Sequence, residues 1–203
     1  MTGPVIIGLT GSIAMGKSTV AQMFEDEGVP VFDADAAVHI LQGPGGALVT
    51  EIESTFPGTT SSRGVDRQAL GAAVFGDPDK LARLESIVHP AVAAMRNRFL
   101  ADHHSKPLIV FDIPLLFEKG GHRAMGHIIV VSAPAAQQSE RALARPGMTV
   151  EKFERILKLQ VPDAEKREKA DTVIDTGGSL DQTRKQVRAL IKKLRGTLAD
   201  SDK

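Results

Sequence analysis

Three features of the sequence predict an α/β fold built on a parallel sheet. These are short apolar runs rich in β-branched residues, helical periodicity in the intervals between them, and a glycine-rich turn directly after the first run. The runs are Val5–Leu9, Val29–Phe32, Leu108–Phe111, Ile128–Val131 and Thr172–Ile174. Each is nearly continuous rather than alternating, which is the pattern of strands covered on both faces, so the expectation is a five-stranded parallel sheet flanked by helices. An amphipathic helix with Val20, Met23 and Phe24 follows the first strand, and the second strand runs into a helix over 34–41. The stretch 43–64 is rich in Gly, Pro, Ser and Thr, and 56–62 reads as a mobile loop. A helix begins at Asp77-Pro78, an N-cap followed by proline at the first helical position, and carries Leu81, Leu84, Val88, Val92, Met95 and Phe99 on one stripe. Pro90 inside that stripe predicts a kink or a break. The last helix opens on a capping-box pattern, Ser179-x-x-Gln182, and carries Val187, Leu190, Ile191 and Leu194, with a frayed tail from Thr197 to Lys203.

One domain, 1–203, accounts for the length. Its core sheet is expected over about 4–34, 106–134 and 170–198, with a helical insertion over about 35–105 and a lid over about 135–165. Apolar residues at 42% and charged residues at 25% are ordinary for a globular chain. Lys plus Arg (25) equals Asp plus Glu (25), so the net charge makes no electrostatic case for binding a nucleic-acid backbone. The absence of cysteine excludes thiolate catalysis and thiolate metal sites, and suits a reducing cytoplasm. Residues 1–8 lack the pattern of a signal peptide, and no apolar run approaches the ~20 residues needed to span a bilayer, so no membrane partner is expected.

Gly11-Ser12-Ile13-Ala14-Met15-Gly16-Lys17-Ser18 matches G-x-x-x-x-G-K-[ST], with a strand before it and a helix after it. Such a turn aims successive backbone N–H groups inward at a positive helix N-terminus, forming an anion nest. Lys17 can reach the β- and γ-phosphates of a nucleotide, and the Ser18 hydroxyl can ligate Mg²⁺. Gly11 through Thr19 are therefore the candidate ATP contacts of a P-loop fold. The only asparagine, Asn97, is followed by Arg98, so the base-reading motif of guanine-specific switches is missing.

In a parallel sheet, ligands collect beyond the carboxyl ends of the strands. Asp33 ends the second strand, where a carboxylate can take the proton of an attacking hydroxyl; the alternative is an N-cap of the next helix, with Asp35 able to share that task. Asp112 ends the third strand and reads either as a Mg²⁺ carboxylate or as a turn residue. Arg141 and Arg145 are spaced to share a helical face, as lid arginines that stabilise transferring phosphate or as a solvated face with Glu140. His89, beside Pro90, reads as a packed or capping residue more readily than as a catalytic one.

Taken together, Gly8-Leu9-Thr10-Gly11, Gly16-Lys17-Ser18-Thr19, Asp33-Ala34-Asp35, His89-Pro90, Asp112-Ile113-Pro114-Leu115-Leu116-Phe117-Glu118, Gln138-x-x-Arg141-x-x-x-Arg145, Gln160, Lys166 and Ala170-Asp171-x-Val173-Ile174 resemble the dephospho-CoA kinase family over nearly the whole chain. The resemblance implies transfer of the γ-phosphoryl of ATP to the ribose 3′-hydroxyl of dephospho-CoA, giving coenzyme A and ADP in the cytoplasm, by a monomer or small homo-oligomer. It implies that Asp33 is the general base, that Lys17 and Ser18 contact phosphate and Mg²⁺, and that Arg141 is a lid arginine. It assigns the acceptor to Asp33, Arg67, His89, Leu115, Leu116 and Glu118, and Gly177 to a loop beside the adenine. Ser12, Ala14 and Met15 depart from the family's frequent Gly, Gly and Ser, at positions not expected to require glycine. Two other readings stay open: a kinase acting on a nucleoside monophosphate, and a nucleotide-binding switch without turnover.

Overall fold

In chain order the strands are β1 (Val5–Thr10), β2 (Val31–Asp33), β3 (Thr60–Ser61), β4 (Gly64–Val65), β5 (Leu108–Asp112), β6 (His127–Ser132) and β7 (Thr172–Asp175), in a computed structural model that describes residues 3–201. The helices are α1 (Lys17–Asp26), α2 (Ala34–Gln42), α3 (Val49–Thr55), α4 (Arg67–Val74), α5 (Pro78–Asp102), α6 (Ala135–Leu143), α7 (Val150–Leu159), α8 (Asp163–Glu168) and α9 (Leu180–Ser201). By contacts the chain forms two units, one running to Phe32 and resuming at His103, the other Asp33–Asp102.

The first unit holds a five-stranded sheet in the order β2-β5-β1-β6-β7. Three of its four pairings, β5 with β1, β1 with β6 and β6 with β7, are parallel. The apolar runs read from the sequence are these strands. All five residues of β5 are buried, as a strand covered on both faces must be. On one face Leu108 and Val110 join Ile7, Leu9, Ile129, Val131 and Ile174 beneath Val20, Met23 and Phe24 of α1 and Val187, Leu190 and Ile191 of α9. On the other, Phe111 meets Phe32 edge to face at 5.7 Å. The capping box of α9 is reciprocal: Gln182 N–H donates to Ser179 Oγ at 3.2 Å and Ser179 N–H donates to Gln182 Oε1 at 2.8 Å. The helix then runs through Ser201 instead of fraying at Thr197, and the last two residues of the expected tail lie outside the described residues.

The second unit packs α2, α3, α4 and α5 around Leu41, Leu48, Ile52, Phe56, Leu70 and Ile87. Two expectations change here. The stretch 56–62, expected to be a mobile loop, carries β3 and leads into the β3–β4 hairpin, anchored by the Glu53 carboxylate, which accepts from Gly58 N–H at 2.8 Å and Thr60 Oγ at 2.7 Å. That anchor sits on the preceding helix and gives no local signal. Of the kink or break expected at Pro90, the break is absent: α5 is continuous over its 25 residues. Leu84, Ile87, Val88, Ala91, Val92 and Met95 form one apolar stripe across the proline, while Pro90 and Ser86 face solvent. Packing therefore outweighs the one lost hydrogen bond, and the Ser86 carbonyl left without an N–H lies on the wet side.

Candidate active site

The site is built outward from the turn between β1 and α1. Gly11 must be glycine because a Cβ there would lie 2.8 Å from the Val131 carbonyl oxygen of β6, letting the loop cross the sheet edge closely. Gly16 caps α1 in the left-handed region (φ 87°) with no side-chain hydrogen bond, and no acidic residue occupies the helix's first turn. The first N–H groups of α1 are thus left to an external anion, at the positive end of the helix dipole. Between the glycines, Ala14 adopts φ 62°. Glycine is therefore favoured at this position though not required: for alanine the left-handed region costs roughly 1–2 kcal/mol. Burial offsets that cost, because Ala14 packs against Ala142 and Phe153.

Lys17 and Asp112 are brought together. Lys17 Nζ donates to Asp112 Oδ1, with the carboxylate almost wholly buried at the end of β5. Ser18 and Thr19 are exposed on the first turn of α1. A hydroxyl and a carboxylate are the hard oxygen donors that suit Mg²⁺, which takes few protein ligands beside phosphate and water. Arg141, on α6, is fixed by the β7–α9 turn, donating to the Thr176 carbonyl at 2.8 Å and to Gln137 Oε1 at 3.3 Å. Together with Gly16, Thr19, Thr176, Gly178 and Leu180 it lines a cavity of about 430 Å³. Thr176 belongs to the loop that the resemblance places beside the adenine; it is buried and its Oγ1 donates to the Met15 carbonyl at 2.8 Å, tying this turn to the phosphate loop. Gly177 lies in the same turn, its N–H on Asp175 Oδ1 at 2.7 Å and its carbonyl on Gln137 Nε2 at 2.9 Å.

Arg145 does not share a helical face with Arg141. The helix ends at Leu143, and Arg145 stands exposed just beyond it, because the proline that follows disfavours helical angles at that residue.

Leu116 is fully buried and Leu115 is exposed after β5. Glu118, next along, is neither exposed nor a helix cap. Its Oε1 lies 2.8 Å from Nζ of Lys166, a lysine with no exposed side-chain surface, and accepts from Val161 N–H at 2.9 Å. Burial raises the Glu118 carboxyl, but Lys166 and the main-chain N–H groups outweigh it and hold the group below the usual glutamate range.

In the second unit, Asp33 is the N-cap of α2, accepting from Ala36 N–H at 2.9 Å through Oδ1. Asp33 is exposed, and Asp35 lies in the first helical turn without sharing the cap. Arg67 opens α4, exposed, and donates to His39 Nε2 at 2.5 Å. A guanidinium only donates, so Nδ1 of His39 carries the proton and donates to the Asp35 carbonyl at 2.8 Å. His39 had escaped notice because no motif marks it. His89 is exposed on α5.

A sequence model of the dephospho-CoA kinase family matches residues 5–182. A protein named dephospho-CoA kinase from Novosphingobium aromaticivorans is 64% identical over 195 residues, covering 96% of this chain and 97% of that protein. The crystal structure of a Thermus thermophilus protein matches with a TM-score of 0.83 at 35% identity, over 95% of this chain and 99% of that one. A dephospho-CoA kinase from Campylobacter jejuni shares the fold, with a TM-score of 0.64 at 24% identity, over 93% of this chain and 96% of that one.

Proposed function

The chain belongs to the dephospho-CoA kinase family, ATP-dependent kinases of the final step of coenzyme A biosynthesis, and from that membership we propose which residues carry the transfer. The observation that carries the proposal is the left-handed cap at Gly16, which leaves the head of α1 without a side-chain cap and next to Lys17. The turn 11–19 cradles the phosphates of ATP on those of its N–H groups that no protein acceptor takes, with Ile13 and Met15 bonded inside the protein, and Lys17 moves between Asp112 and the γ-phosphate. Ser18 and Asp112 would hold Mg²⁺, which when bound supplies charge neutralisation on the β- and γ-oxygens. Arg141 stabilises charge on the transferring group, Arg145 joins it from the segment beyond α6, and the cavity lined by Arg141, Thr176 and Gly178, next in the chain to Gly177, takes the adenosine.

Asp33 is the general base. Its Oδ1 is spent on the α2 cap and its Oδ2 has no hydrogen-bond partner among the described residues, so one oxygen positions the residue and the other is open to a hydroxyl. The ribose O3′ attacks the γ-phosphorus, the O3′–P bond forms as the bond to the β-phosphate oxygen breaks, and Oδ2 takes the hydroxyl proton. Arg67, His89, Leu115, Leu116 and Glu118 belong to the acceptor side. A cysteine-free chain acting on ATP suits the cytoplasm, as a monomer or small homo-oligomer.

ADP release tests this with dephospho-CoA, coenzyme A and AMP as acceptors. Only dephospho-CoA should stimulate turnover, since coenzyme A is already phosphorylated at the 3′-position; equal turnover on AMP would instead favour a nucleoside monophosphate kinase. Lys17→Ala should lose most activity. Asp33→Asn keeps the cap, because asparagine caps as well as aspartate, and should lose about 10²–10⁴ in kcat. Full activity in Asp33→Asn would remove the base assignment.

A further inference from the structure

Ile13, in the middle of the phosphate loop, is held from both sides by glutamines of the lid region. Its N–H donates to Gln160 Oε1 at 3.0 Å, at the end of α7, and its carbonyl accepts from Gln138 Nε2 at 2.8 Å, on α6. Both atoms belong to peptide planes that the loop needs in one orientation. In a trans peptide the C=O and N–H point opposite ways, so gripping the Ile13 carbonyl turns the Ala14 N–H away from Gln138. Gripping the Ile13 N–H likewise turns the Ser12 carbonyl away from Gln160, where it accepts from Met15 N–H at 3.2 Å. The left-handed Ala14 follows directly on the gripped Ile13 carbonyl, packed against Ala142 and Phe153 of the same two helices.

Gln160 is itself anchored. The next residue, Val161, donates its N–H to Glu118 Oε1, and Glu118 is paired with the buried Lys166. A continuous polar chain therefore runs from the phosphate loop through Gln160 and Val161 to Glu118, which ends the segment assigned above to the acceptor.

We infer that Gln138 and Gln160 are positioning residues that set the phosphate loop in its anion-binding geometry, and that the Gln160–Val161 junction couples that loop to the Leu115–Glu118 segment. The inference rests on the reading of the loop as the ATP site. It makes the lid helices part of the binding geometry even before any closure, rather than a cover added afterwards. The chemistry demanded differs at the two positions: an acceptor at 160, a donor at 138.

Methionine has nearly the shape of glutamine and neither function. Gln160→Met and Gln138→Met, singly and together, are titrated with ATP by calorimetry, alongside Gln160→Glu, which keeps the acceptor oxygen. Each methionine variant should weaken ATP about fivefold, the loss of one hydrogen bond, and the double variant should fall well short of the product because both grips act on one residue. In amide exchange followed by NMR, the Ile13 N–H should exchange at least tenfold faster in Gln160→Met and stay protected in Gln160→Glu. Gln160 is partly exposed, so its variants carry the test alone if the buried Gln138→Met fails to fold. Unchanged ATP affinity in the methionine variants overturns the inference, even if their melting temperature falls, because that is what a purely structural role predicts. So does an Ile13 amide equally protected in Gln160→Met and wild type. The titration needs no acceptor: a wild-type protein that binds ATP but ignores dephospho-CoA overturns the acceptor reading and leaves this one standing, whereas one that binds no ATP overturns both.

Discussion

Glu118 carries more than one load at a single carboxylate. It compensates Lys166, it holds the backbone from which Gln160 projects, and it closes the loop after β5. Removing its charge leaves a lysine buried without its counter-ion, so Glu118→Gln should cost about 3–5 kcal/mol at pH 7 in urea unfolding. The folded group titrates below the glutamate reference of 4.5, so its contribution is complete above that pH and drains away as pH falls through the folded value. The wild-type advantage over Glu118→Gln should therefore narrow below pH 4.5; a gap unchanged at the acid end would show that the pair adds nothing through charge. Single residues were unevenly legible. Lys17, Ser18 and Asp33 follow from local spacing, since a phosphate turn and an N-cap are written within eight residues. The left-handed Ala14 and the pinned Thr176 do not, because neighbours more than a hundred residues away along the chain hold them.

Elements were read best where one physical rule acts alone. The five sheet strands, the Asp77 cap of α5 and the Ser179–Gln182 box each obey local hydrogen bonding or burial, and each is present. Tertiary packing overrides the local signal where α5 runs unbroken through Pro90 and where the β3–β4 hairpin is anchored by Glu53. The α5 packing stripe offers a direct test. Pro90 sits exposed in mid-helix, where proline costs about 3 kcal/mol relative to alanine, partly returned by its stiffening of the unfolded chain. Pro90→Ala should raise stability by about 1–2 kcal/mol in urea melts. Destabilisation would mean that the proline shapes a curvature the core depends on.

At the scale of the whole molecule, two hydrophobic cores are built from separate residues, one under the sheet and one among α2 to α5. Ile52 is wholly buried in the second, and Ile52→Ala should cost about 2–5 kcal/mol. Hydrogen exchange should locate that loss: amides of 33–102 speed up while those of β1, β5 and β6 keep their wild-type protection. Uniform acceleration along the chain would show that the two cores melt as one.

The sheet also ends on its shortest members. Its rim strands β2 and β7 have three and four residues, against five or six for β5, β1 and β6 between them. A foreign strand that approached either rim would find scarcely a turn's worth of unpaired amides to zip onto. The architecture thus guards a crowded enzyme against runaway fibre growth by brevity alone, leaving the long inner strands free to be as greasy as burial requires.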